Sequence, residues 1–429
     1  MIAKNMWLIV LVAILVSACE KKEVLPGERE LISGIAEDSR EKKSKINSSE
    51  KIIPKTEMDV SFHVDVAGNK QHNSINYRMS RDAKVLWKTS IGGGTTNVDM
   101  IAFGENIYVV NTEGTLVCIS QKNGKKIWEK QIAKQPDDST FSGGLVADGK
   151  IIYISTNIGR VVAVDTQTQK ELWVKSLKYP LKGAPLYASG KVIVNSIENQ
   201  TFALNAFDGN LLWSRTSSQE NTMMSEAGAP VLFENSVICT YSSGDLKSMN
   251  INDGSENWID VLFSANLSES GGIISHIAAS PVVFDDYVLA VTSESKMVLV
   301  DATSGIRVWE KNLGTTNTPV VNSGWVFVLS CDNCMLCLST KSGEVKWVSE
   351  LNEFIEARHQ KITKWIGPLL INGDVVAFNE AGNVLRLDIS TGKLKKQENF
   401  KDVIFLRKPI IINGRMFAMS PRANIYAIG

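Results

Sequence analysis

The chain has 429 residues, 46 basic and 46 acidic, so its composition gives no electrostatic basis for nucleic-acid binding, which needs clustered positive charge. Its 44% apolar content suits a folded core. Length alone would suggest two or three domains, but a repeat runs through most of the chain, which argues for one large domain.

The first element in chain order is a targeting segment. Lys4 gives a positive start, and Met6 to Val16 is apolar throughout. Eleven residues are too few for a spanning helix and fit the apolar region of a signal peptide. It ends Leu15-Val16-Ser17-Ala18-Cys19, small residues before a cysteine. That ending resembles a bacterial lipobox, which implies a signal peptide over 1–18 and lipidation of Cys19. Several acyl chains on one residue anchor stably where one is marginal. A soluble export signal that happens to end in cysteine is the other reading. Glu20, rather than aspartate, follows; by resemblance to enterobacterial sorting this implies the outer membrane, facing the periplasm. Residues 19–56 are rich in Lys, Glu and Ser, as in Glu41-Lys42-Lys43-Ser44-Lys45, and read as a disordered tether. A partner-binding arm around Val24 to Arg29 is the alternative there.

From residue 57 the chain reads as a β domain built on a repeat. A glycine, three residues and a tryptophan recur as Gly124 and Trp128, Gly209 and Trp213, Gly254 and Trp258, Gly305 and Trp309, and Gly343 and Trp347. Gln169 takes the glycine slot before Trp173, Lys396 takes the tryptophan slot after Gly392, and Trp87 ends a bare half-copy. These eight slots, from 87 to 396, lie about 44 residues apart, the period of a four-stranded propeller blade. In one copy, Ala184–Tyr187, Lys191–Asn195, Thr201–Asn205 and Leu211–Ser214 read as successive strands. Asp208-Gly209 reads as a two-residue hairpin in which both positions tolerate positive φ. Strands this short form no stable lone sheet, so the blades must stack, with each tryptophan filling the gap to its neighbour.

After Lys396 only three strands follow, at Lys408–Ile412, Arg415–Met419 and Asn424–Ile428, whereas Lys84–Ser90 is a fourth strand lacking its first three. Pairing the two ends completes an eighth blade and removes the exposed edges. The expected fold is therefore all-β: an eight-bladed propeller of four-stranded antiparallel blades, spanning 57–429.

Little in the chain reads as catalytic. His63, His72, His276 and His359 are scattered, and the sequence lacks G-x-S-x-G, P-loop and H-E-x-x-H motifs. Cys331-Asp332-Asn333-Cys334 has the C-x-x-C spacing. The repeat puts Asp332 and Asn333 at a hairpin tip with the two cysteines facing across it, which leaves free thiols, a local disulfide or a metal or redox site open. Cys118, Cys239 and Cys337 fall in slots for small buried apolar residues.

The segment Val298-Leu299-Val300-Asp301-Ala302-Thr303-Ser304-Gly305 to Trp309 resembles the repeat of the quinoprotein propellers. Within that group, the lipobox, tether and single eight-bladed domain are similar to the BamB family of outer-membrane assembly lipoproteins. So are the Trp87 to Gly94 entry and the closing strands Arg415 to Ile428. The resemblance implies a non-enzymatic scaffold without cofactor or metal, monomeric within a hetero-complex. It implies binding to the barrel protein BamA and assistance to unfolded outer-membrane proteins. The partner contact would fall on the loops into the fifth and sixth blades, at Met223, Met224, Ser225 and Glu226 and at His276, Ile277 and Ala278. Methionines suit an adaptable anchor; the family's arginine falls on Ser225 and its aspartates on His276 and Ala278. A periplasmic PQQ-dependent oxidoreductase is the alternative, against which stands the lack of two adjacent cysteines. A propeller of another envelope complex is a third reading.

Overall fold

Short β-branched runs punctuated by glycine turns fold here into eight four-stranded antiparallel sheets. The structure is a computed structural model that describes residues 50–429 except 65–68, 73–74, 94–98, 133–140, 219–227, 263–276, 294 and 356–363. The signal segment, Cys19 and the tether up to residue 49 lie outside the described residues. Blade 1 is made by both ends of the domain: Val85–Ser90 pairs with Asn424–Ile428, which continues to Arg415–Ser420 and Ile410–Ile412. Its register sets Val85 against Ile428 and Ser90 against Asn424. Blade 2 spans 101–131, blade 3 143–176, blade 4 181–216, blade 5 231–261, blade 6 282–311, blade 7 320–350 and blade 8 365–399. The expected propeller and its closure are thus both observed. In blade 4 the strands are Leu181–Ala188, Lys191–Ser196, Gln200–Asn205 and Leu211–Thr216, slightly longer than their sequence signals.

The hairpin before each tryptophan is longer than a two-residue turn. Gly209 N–H bonds the Asn205 carbonyl, and Asn205 N–H bonds the Asn210 carbonyl, so four residues form the loop. Only the glycine, at φ +73°, is left-handed; Asp208 is not. The acidic or amide residue opening this turn has its own role. The Asp301 carboxylate accepts from the N–H groups of Thr303 and Ser304 and from the Ser304 hydroxyl. Those bonds, the Ser304 N–H foremost, hold its carboxyl below the usual range. This explains the aspartate in the repeat.

Each seam between blades is sealed by the glycine and tryptophan together. Trp213 of blade 4 donates its indole N–H to the Ile251 carbonyl of blade 5 at 3.0 Å. Its ring lies where a Cβ on Gly254 would stand, 2.6 Å from Trp213 Cε3. The bond recurs from Trp87 to Gln121, Trp173 to Ala206, Trp258 to Ala302, Trp309 to Thr340 and Trp347 to Ile389. Apolar clusters lie behind these seams, such as Ile193, Ala203, Val237, Cys239 and Met249 between blades 4 and 5. The two diverged copies solve the seam differently. At the ring closure Lys396 replaces the indole: its Nζ donates to the Arg81 carbonyl at 3.1 Å and pairs with Glu398 at 2.9 Å. Between blades 2 and 3, Gln169 is held left-handed at φ +57°, and among the described residues Trp128 makes no equivalent bond. A non-glycine residue at that backbone angle costs about 1–2 kcal/mol. Gln169→Gly should therefore stabilise the domain by about 1 kcal/mol, once the greater freedom of glycine in the unfolded chain is subtracted. A denaturant midpoint that falls instead would show that Gln169 contributes contacts outweighing its strain.

One feature had no signal in the repeat. The described residues between 52 and 79 form a strap that touches all eight blades. Ile52 N–H bonds Ser390 Oγ of blade 8, and Lys55 N–H bonds Asn322 Oδ1 of blade 7. Asn413 N–H of blade 1 bonds the Val60 carbonyl, and Ala147 N–H of blade 3 bonds that of Val64. His63 and Ala102 of blade 2 exchange both backbone bonds. Lys70 lies over the Tyr187 ring of blade 4, 5.1 Å from its centroid. Leu232 of blade 5 and Val283 of blade 6 donate to the Lys70 and Gln71 carbonyls. Asn76–Tyr77 finally adds a parallel strand beside Trp365–Ile371 of blade 8. Ile52 is buried in the core of blades 7 and 8, so the domain's contacts begin inside the stretch expected to be tether.

Candidate partner-binding face

Four antiparallel strands per blade fix which loops share an end. First-to-second and third-to-fourth hairpins leave one end, where the strap lies; second-to-third hairpins and the connections between blades leave the other. The two connections picked out by sequence, from blade 4 to 5 and from blade 5 to 6, are on that second end, the connection face.

Their roots are held by a polar clamp. The Asn199 amide donates to the Ser218 carbonyl at 2.8 Å, and Asn199 Oδ1 accepts from the Ser242 N–H and hydroxyl. The Ser217 hydroxyl donates to the Asp245 carboxylate at 2.6 Å, while Leu262 N–H bonds the Gly244 carbonyl. On the far side, Ala229 N–H donates to Ser280 Oγ at 3.0 Å, joining the ends of both connections. A Cβ on Gly228 would lie 2.6 Å from the Ala279 carbonyl oxygen, so only glycine allows that approach.

Met223, Met224, Ser225, Glu226 and His276 lie outside the described residues. Ile277 and Ala278 are described, and both are buried, at 0% and 8% exposure. Ile277 packs among Val231, Phe233, Trp258, Leu262 and Val283 in the core between blades 5 and 6. Its side chain is therefore a packing group rather than an exposed contact, and the structure does not bring it onto the surface with the first connection. The clamp residues Asn199, Ser217, Ser242 and Asp245 were not singled out by sequence. Their only signal is the turn Ser242-Ser243-Gly244-Asp245, which looks like any hairpin until its side chains are seen to hold a neighbouring blade.

The cysteines divide as the repeat suggests. Cys118, Cys239 and Cys337 are fully buried free thiols, and burial pushes the first two up to about 11 and the third higher still. The C-x-x-C pair is not arranged face to face. Ser330, whose N–H bonds the Cys334 carbonyl, is the residue opposite Cys334. Cys331 is exposed at the tip, its Sγ 3.0 Å from the Ser293 carbonyl of blade 6, and Cys334 Sγ contacts the Asp332 carbonyl. Among the described residues no three His, Cys, Asp or Glu side chains are grouped to hold a metal ion. Where the strap meets the inner strands, His63, His72, Tyr77, Asp99 and Lys408 line a small cavity. Burial pushes the Lys408 ammonium down to about 8, and the nearby Asp99 opposes that shift.

Eight glycine–tryptophan seams around a closed ring, two of them modified, define the chain as a propeller of the quinoprotein repeat class. Its residues 71–137 and 130–349 match the family described as outer membrane protein assembly factor BamB, and the chain belongs to that family. It is similar to the outer membrane protein assembly factor BamB of Yersinia pestis, 19% identical over 352 residues, covering 80% of this chain and 88% of the relative. Among solved structures it is similar to BamB from Moraxella catarrhalis, with TM-score 0.69 and 19% identity over 81% of this chain and 99% of the other. It also shares the fold of a quinohemoprotein alcohol dehydrogenase from Pseudomonas putida, with TM-score 0.65 and 10% identity over 86% of this chain and 80% of the other.

Proposed function

We propose that this protein is a non-catalytic scaffold of outer-membrane β-barrel assembly, anchored through Cys19 to the outer membrane and facing the periplasm. It binds BamA through the connection face and assists the assembly of outer-membrane proteins. The observation that carries this reading is the family match from 71 to 349, which takes in both connections. The polar clamp supports it physically: the described roots of both connections are tied to blades 4 and 5, so those roots need no ordering on binding. Met223 and Met224 would supply adaptable apolar contact, and Ser225, Glu226 and His276 belong to the same proposed contact.

The test is affinity purification of the tagged full chain from solubilised envelopes. BamA should be recovered at comparable abundance, and Met224→Asp should reduce that recovery at least tenfold with an unchanged melting curve. Undiminished recovery would reject this patch; recovery of other envelope proteins without BamA would reject the assembly reading. Ile277→Asp serves only as a control for unfolding, because that side chain is core. The likeness in fold to an alcohol dehydrogenase supports one second reading, a PQQ-dependent oxidoreductase. Dye-linked dehydrogenase activity appearing on addition of PQQ would favour it over the scaffold.

A further inference from the structure

Blade 4 carries two buried donors side by side. Lys182 lies on the innermost strand, opposite Asn195 on the next, so both side chains stand on one face of the sheet, roughly 5 Å apart at Cβ. That face meets blade 5, since strand alternation turns the adjacent Leu181 into the core of blades 3 and 4. Asn195 Oδ1 accepts from the Thr201 hydroxyl at 2.7 Å, and Thr201 Oγ1 lies 2.7 Å from the Tyr241 hydroxyl of blade 5. Among the described residues the Lys182 ammonium has no hydrogen-bond partner and the Asn195 amide nitrogen has no oxygen or nitrogen partner, its neighbour being the Cys239 thiol of blade 5, although Lys182 is only 5% exposed and Asn195 1%. Buried donors, and buried cations above all, are normally paired. Desolvation pushes the Lys182 ammonium down to about 8, which still leaves it charged at neutral pH.

We propose that Lys182 and Asn195 form a carboxylate-accepting subsite at the seam of blades 4 and 5, filled by an acidic side chain of the protein docked on the connection face. The inference rests on the reading of that face as a partner interface and names the chemistry recognised there. Two adjacent N–H donors match the two oxygens of a carboxylate. The place is continuous with the proposed interface. Lys182 opens its strand at the connection end, and Asn195 precedes by four residues the Asn199 that clamps the first connection. Beside Lys182 the strand loses register up to Leu186, and the partly exposed Gly183 carries no side chain to cover the seam. An unpaired cation kept in a core at the expense of stability is what a binding site, rather than a packing position, would retain.

The test compares the full chain with its Lys182→Met variant, which keeps the length of the side chain and removes the charge. Two readouts are used: the melting temperature during titration with sodium acetate at fixed ionic strength, and partner recovery from solubilised envelopes. The variant should melt several degrees higher without acetate. Acetate should raise the melting point of the unmodified chain and not of the variant, and the variant should recover at least tenfold less partner. If acetate shifts neither protein, or both equally, the subsite is overturned. If acetate acts through Lys182 while partner recovery is unchanged, the polypeptide occupant is overturned in favour of a small free carboxylate. If the unmodified chain recovers no partner, the scaffold reading fails, and the acetate arm still decides the subsite.

Discussion

Trp213→Ala is expected to lower the stability of the domain by about 3–5 kcal/mol, the cost of deleting a buried tryptophan and leaving its cavity. At 6% exposure its ring fills the seam between blades 4 and 5, and the indole N–H bond to the Ile251 carbonyl is lost with it. The site has little room to collapse, because the hairpin that covers it is fixed by the Gly254 N–H bond to the Asn250 carbonyl. Gly254→Ala approaches the same seam from the other side. Its Cβ would stand 2.6 Å from Trp213 Cε3 on a backbone at φ +71°, so the variant combines left-handed strain with displacement of the ring. Trp128→Ala is the internal comparison. Among the described residues that tryptophan makes no bond to the next blade, and the repeat slot there holds Gln169 instead of glycine, so its loss should cost clearly less. Equilibrium denaturation of the three variants decides the matter; equal destabilisation at Trp128 and Trp213 would mean that the glycine–tryptophan pairing is not what seals the seams.

That pairing is also what made the fold legible. A glycine four residues before a tryptophan is a local pattern, yet it reports a non-local contact, because the glycine of one blade is flattened against the tryptophan of the blade before it. Blade number, strand order and ring closure all follow from counting it. The turn itself was less legible: Asp208-Gly209 looks like a two-residue hairpin, while the bond that the Phe207 N–H donates to Asn205 Oδ1 favours a four-residue loop. The strap was not legible at all. Its buried residues Ile52, Val60, Tyr77 and Met79 have neither period 2 nor the repeat, since the strap is held mostly by single backbone bonds to successive blades and joins a sheet only at Asn76–Tyr77. The candidate site was legible only as a place. Loop positions follow from the blade count, but exposure does not, and Ile277 shows why. A residue before an entry strand reads as loop, yet Ile277 is packed into the core of blades 5 and 6. Lys182 is the converse case, a charged residue outside the entry strand Ala184–Tyr187 read from sequence, yet buried within the observed strand Leu181–Ala188.

Deletion of residues 424–429 should abolish cooperative folding of the domain, although it removes only one short strand. Asn424–Ile428 is bonded on both sides, to Arg415–Ser420 and to Val85–Ser90, so it is the element through which the two ends of the chain are joined. Its side chains are divided between two seams: Tyr426 and Ile428 pack toward blade 8, Ile425 and Ala427 toward blade 2. Burial of Ile425, Tyr426 and Ile428 contributes about 1.5–3 kcal/mol each. Net hydrogen bonding adds about 0.5–1.5 kcal/mol for each ladder bond lost. The total approaches the 5–15 kcal/mol that stabilises an ordinary domain, and Val85–Ser90 and Arg415–Ser420 would each be left with an unpaired edge. The Lys396 bond to the Arg81 carbonyl would be lost as well, since the segment before Val85 is held by the exchange of backbone bonds between Lys84 and Gly429. Circular dichroism melting and limited proteolysis of the truncated chain provide the readout, with Ile425→Ala as a milder variant expected to cost about 2–5 kcal/mol. A truncated chain that melts cooperatively within a few degrees of the full one would show that the ring does not depend on its closing strand. In that case the strap, which touches every blade independently of blade 1's ladder, would be the element that holds the eight blades together.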